Sequence, residues 1–116
     1  MSIDSESANR MADARLRHRI LRVLESGRSM PAMKARFVVD VIDGIAGSDH
    51  FEGEDHSLAL LRDLDGGGYI RLADTRTRKD QQYGLGFLNV SILPKGTRFC
   101  AGGEPADALI DDGRIV

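Results

Sequence analysis

Three consecutive glycines, Gly66-Gly67-Gly68, separate two regimes of hydrophobic periodicity, and this break constrains the fold more than any other feature of the chain. Glycine has the widest backbone freedom and the poorest helix propensity after proline, so a run of three ends a helix. Before the run, apolar residues recur three and four positions apart, as on one face of a helix. After it, Tyr69-Ile70-Arg71-Leu72-Ala73 alternates with the period of a half-buried strand. A mixed α+β fold follows, with helices first and a hairpin after them.

The helical half divides into three segments. Over residues 9–26, Leu16, Ile20, Val23 and Leu24 share one face, while Arg10, Arg15, Arg17, Arg19 and Arg22 project from the others; Gly27 is the stop. A second helix is expected from Ser29, a capping residue, with Pro31 in its first turn, where a missing N–H costs nothing. Met33, Phe37, Val38, Val41, Ile42 and Ile45 form its apolar repeat, although Phe37-Val38-Val39 also has the β-branched character of a short strand. An acidic loop over 47–55 leads to a third helix reaching Asp65, capped by Asp55. Leu58, Leu61 and Leu64 face inward, with His56, Ala59, Arg62 and Asp63 more outward.

Residues 74–82 are too hydrophilic to bury, and residues 87–93 read as the returning strand. Pro94 opens a short final helix or turn. Residues 1–9 are read as a flexible tail, 10–101 as the folded domain and 102–116 as a C-terminal extension, with one apolar cluster at Ala108-Leu109-Ile110.

This order resembles the winged helix-turn-helix superfamily: a three-helix core, a β-hairpin wing and a short C-terminal helix. The closest local likeness is Leu61-x-x-Leu64-x-x-x-Gly68-Tyr69-Ile70, similar to the end of a recognition helix and its turn into the wing. Val90-Ser91-Ile92-Leu93-Pro94-Lys95-Gly96 resembles the last wing strand and next helix of MarR-like and ArsR-like regulators. Size and layout are also similar to small winged helix proteins of Mu-like phages and prophages. The ArsR-type Cys-x-Cys motif is missing, so the resemblance implies no metal sensing, and the loop before the third helix is longer and more acidic than usual.

The resemblance implies a DNA-binding transcriptional regulator. A net charge of −2 over 116 residues argues against coating nucleic acid by bulk positive charge, so contact requires a local basic patch. The hairpin supplies one. Six basic residues (Arg71, Arg76, Arg78, Lys79, Lys95, Arg98) stand against Asp74 and Asp80, a local net of +4. Arg71, Arg76, Arg78 and Lys79 are the expected phosphate contacts of the wing. A charged hairpin tip that merely resists strand pairing is the plainer alternative.

The third helix argues the other way. Between Asp49 and Asp65 there are six acidic residues and one basic, leaving His56, Ser57 and Arg62 as candidates to meet base edges. A protein–protein module that docks through this acidic helix is therefore the alternative. The first helix's arginines either contact the DNA backbone or solvate an outer face.

No catalytic constellation is present, so an enzyme is not expected, and neither is a cofactor. His50, Glu52, Glu54, Asp55 and His56 are metal-ligand types, but their spacing suits no common closed site. The single cysteine, Cys100, excludes an intrachain disulfide and fits a reducing cytoplasm as a partly buried thiol. The polar, acidic opening is unlike a signal peptide, and no run approaches the ~18 apolar residues that span a bilayer. The expected location is cytoplasmic. Duplex DNA, a protein partner and a second copy, joined through the first helix or Ala108-Leu109-Ile110, are the expected partners.

Overall fold

A computed structural model describes residues 5–30, 32–45, 47, 49–75, 84–111 and 113. They form a mixed α+β fold with four α-helices and a three-stranded antiparallel sheet. The elements are α1 (Ser5–Ser26), β1 (Met33–Lys34), α2 (Ala35–Asp43), α3 (Glu54–Gly66), β2 (Ile70–Asp74), a 3₁₀ turn (Leu85–Phe87), β3 (Leu88–Ile92) and α4 (Pro94–Cys100). The sheet order is β1-β3-β2, so β3 is the central strand.

One core joins all of them. Leu16, Ile20, Leu21 and Leu24 of α1 meet Val38 and Ile42 of α2, Leu58, Leu61 and Leu64 of α3, the sheet residues Ile70 and Val90, and Phe99 of α4. Burying each such apolar side chain contributes about 1.5–3 kcal/mol. Among the described residues no helix is long and apolar enough to cross a membrane.

The glycine break behaves as its chemistry requires. Gly68 takes φ +80°, Tyr69 N–H donates to Leu64 C=O at 3.0 Å, and Gly68 N–H to Asp65 C=O at 3.1 Å. That pair of bonds is a Schellman C-cap, and it turns the chain from α3 directly into β2. β2 and β3 then pair in register from Ile70↔Ile92 to Asp74↔Leu88. Along β2, exposure rises from buried Ile70 to exposed Ala73 and Asp74, so the ladder climbs out of the core.

Several expectations require correction. Helix α1 begins at Ser5, inside the stretch read as a tail. The second helix does not start at Ser29: the chain first makes the two-residue strand β1, with Met33 opposite Val90 and Lys34 opposite Asn89, and only then enters α2. Sheet pairing on the free edge of β3 outweighs the local capping preference of Ser29. The inward face of α2 is also rotated. Ala35, Val38, Val39 and Ile42 are buried, whereas Phe37 and Val41 are exposed. Helix α3 starts at Glu54 with Gly53 in the N-cap position, not Asp55.

Arg17, expected on an outer face, is buried at 9% exposure. Its guanidinium donates to Leu109 C=O at 2.9 Å and pairs with Asp63 at 2.7 Å. The stretch read as a C-terminal extension therefore packs against α1. Ile110 is buried, Asp111 N–H donates to Ala14 C=O at 3.1 Å, and Tyr69 Oη donates to Asp107 at 2.6 Å. Ile110, one of the residues offered for joining a second copy, is committed to this chain's own core.

Candidate nucleic-acid interface

The hairpin and α3 carry the seven residues expected to meet DNA, and the structure treats them differently. Arg71 lies on the exposed face of β2, paired across the ladder with Ser91. Arg76, Arg78 and Lys79 lie outside the described residues, in the chain that joins β2 to β3. The ladder is closed at its outer end by Thr75, whose N–H and Oγ1 both donate to Phe87 C=O.

The inner end of the hairpin is fixed to α3 and α4. Leu93 N–H donates to Tyr69 C=O at 3.0 Å, and Lys95 Nζ donates to Gly67 C=O at 2.8 Å while lying 4.4 Å from the Tyr69 ring centroid. Gly96 is needed for this approach, because a Cβ there would stand 2.4 Å from Tyr69 O. Arg98 pairs with Glu104 at 3.1 Å. Of the six basic residues counted with the hairpin, Lys95 thus ties its base to the end of α3, and Arg98 is taken up in a surface ion pair.

On α3, Ser57 is fully buried and its hydroxyl donates to Glu54 C=O at 2.7 Å, so it faces no groove. His56 is half-buried. Its Nδ1 accepts the Glu52 N–H at 2.9 Å, which leaves Nε2 to donate to Asp13 at 2.7 Å, and Phe51 meets the ring edge-on. Both were expected near the bases and both are turned into the fold; of the α3 candidates only Arg62 stays on the exposed surface. The reason was present in the spacing: Ser57 precedes Leu60, Leu61 and Leu64 by three, four and seven, on the same stripe.

The acidic charge around α3 is largely matched internally. Glu54 accepts from Arg36 and from Leu85 N–H, both at 3.0 Å, Asp63 pairs with Arg17, and Asp65 accepts from Leu72 N–H at 3.3 Å. Asp49 takes a two-pronged contact from Arg15 at 2.7 and 3.1 Å. That hydrogen bond, outweighing burial, holds the Asp49 carboxyl below its usual range and raises Arg15 above its own. Two of the five arginines of α1, Arg15 and Arg17, thus find their partners among the acids of 49–65.

Among the described residues no group of three or more His, Cys, Asp or Glu is placed to hold a metal. Cys100 is half-buried, and burial pushes its thiol up, away from the reactive thiolate. No protein-family model, curated protein or solved structure matches the chain.

Proposed function

We propose that the chain is a winged helix domain that binds duplex DNA, in the manner of a phage- or prophage-type transcriptional regulator, and grips it chiefly through the hairpin. The observation that carries this reading is the β2–β3 ladder, which leaves α3 at a fixed turn and rises out of the core with Arg71 exposed. The sequence joining its strands holds Arg76, Arg78 and Lys79. Guanidinium and ammonium groups on such an arm suit phosphates. With His56 and Ser57 turned inward, α3 offers little to base edges, so binding rests on the DNA backbone and tolerates sequence change.

The test is the R76A/R78A/K79A variant, checked for native circular dichroism and titrated against a fluorescein-labelled random duplex. Loss of three phosphate contacts lowers affinity for all sequences alike and reduces the slope of log K against log salt by about 2–3. Unchanged affinity and slope in the folded variant would rule the hairpin out.

A second reading is favoured by one observation, the inward turn of His56 and Ser57: docking of a basic protein segment on the acidic side of α3. Asp55→Lys is the clean probe, since reversing Glu54 also removes its bonds to Arg36 and Leu85. On this reading D55K weakens binding of an oligolysine peptide and leaves DNA affinity unmoved or raised.

A further inference from the structure

Arg15, His18, Arg19 and Arg22 fall three and four residues apart, on one flank of α1. With Val23 they form one wall of a cleft of about 500 Å³, bounded by Ile45 just beyond α2 and by Asp111 of the C-terminal segment. That volume lies within the range of small-molecule sites, about 300–1,000 Å³. The charged groups around the cleft are not equivalent. Arg15 is held by Asp49 at 2.7 and 3.1 Å. Arg22 Nε–H donates to His18 Nε2 at 3.1 Å, so the imidazole accepts there in its neutral form. Arg19 makes no hydrogen bond or ion pair among the described residues and acts on Asp49 only through space. Glu25, one turn on from Arg22, is committed to Arg28 at 3.0 Å. Among the described residues, three guanidiniums thus stand against the two carboxylates Asp49 and Asp111, which leaves one positive charge unmatched. The apolar part of the wall is aliphatic. Val23 and Ile45 are half-buried, and no aromatic ring lines the cleft among the described residues, so a ring or a base has nothing to stack on.

We propose that this cleft binds a small aliphatic carboxylate, its head between the Arg19 and Arg22 guanidiniums and its chain against Val23 and Ile45. One unmatched positive charge suits a monoanion, and the planar guanidinium fork matches the two oxygens of a carboxylate. A phosphate monoester, close to doubly charged at neutral pH, would exceed that charge and be repelled by Asp49 and Asp111. The inference does not rest on DNA binding.

NMR of the intact, isotope-labelled chain titrated with octanoate tests it. The amide resonances of Arg19, Arg22, Val23 and Ile45 should move together toward saturation, with a dissociation constant of about 1 mM, as expected of so small a ligand. Acetate, which keeps the head, and octylammonium, which keeps the chain with the opposite charge, should each bind at least about tenfold more weakly. Arg19→Gln should weaken octanoate by about tenfold. Arg19→Glu turns the net charge around the cleft negative and should exchange the preference, so that octylammonium binds and octanoate does not. Neither a folding defect nor loose association with exposed apolar surface predicts that exchange. No saturable shift at these residues up to about 10 mM octanoate, or equal affinity of the wild type for octanoate and octylammonium, overturns the proposal. So does dimethyl phosphate binding as tightly as octanoate, which would make the cleft a contact for the DNA backbone.

Discussion

Arg17 is sent to solvent by the helical wheel and drawn inside by the fold, because its guanidinium satisfies two groups from distant parts of the chain, Asp63 and Leu109 C=O. Arg17→Met keeps most of the apolar stem and removes the donors, so it should cost about 1–3 kcal/mol in urea denaturation. A loss under about 0.5 kcal/mol would mean the pair is no better than a surface ion pair. The glycines separate by surroundings in the same way. Gly96→Ala places a Cβ against Tyr69 O and Ile92 and should cost about 1–3 kcal/mol, whereas Gly66→Ala meets nothing within 4 Å and should stabilise by up to about 1 kcal/mol. Thermal melts of the two variants should move in opposite directions; equal shifts would contradict the close approach at Gly96.

Elements were legible in proportion to how many of their own residues carried the signal. Helix α3 and the hairpin announce themselves through the glycine break and a change of period that local geometry alone enforces. β1 does not, because two residues hold no period, and Met33 and Lys34 become a strand only through Val90 and Asn89. The face of α2 was ambiguous for a related reason: two adjacent apolar stripes both have helical spacing, and packing against α1 and the sheet selects Val38, Val39 and Ile42. The segment from 107 to 111 looked like a polar extension because its anchors are held by partners far away in sequence. Asp107 is the clearest. Burial pushes its carboxyl up, but the bonds from Tyr69 Oη and Leu109 N–H, with Lys95 and Arg17 nearby, more than offset this and hold it below the usual carboxylate range. A folded pKa below the unfolded value of about 3.9 gives stability that is present above that pH and lost as pH falls through the folded value. Tyr69→Phe should therefore destabilise by about 1 kcal/mol at neutral pH. The gap between variant and wild type should close below about pH 4. A gap that persists at acid pH would place the tyrosine's effect in packing.

At the scale of the whole molecule, charge organises more than the composition suggests. Acidic residues 49–65 and the arginines of α1 and α2 are joined through Arg15–Asp49, Arg17–Asp63 and Arg36–Glu54. Exposed charge remains on Arg10 and Arg22 of α1 and on Asp55 and Arg62 of α3, beside the basic character of the hairpin's sequence. Which hairpin residues are basic is legible in the sequence, whereas the fate of His56 and Ser57 depended on how α3 sits against the rest of the core. A domain that grips DNA in this way binds mainly by releasing counterions. The most direct measurement is fluorescence anisotropy of a labelled random-sequence duplex against the intact protein, from about 50 to 200 mM salt. The account predicts binding at the low end that falls linearly in log K against log salt, with a slope near −0.9 for each phosphate engaged, about −3 to −4 for Arg71, Arg76, Arg78 and Lys79 together. No binding at 50 mM salt, or binding indifferent to salt, would contradict it.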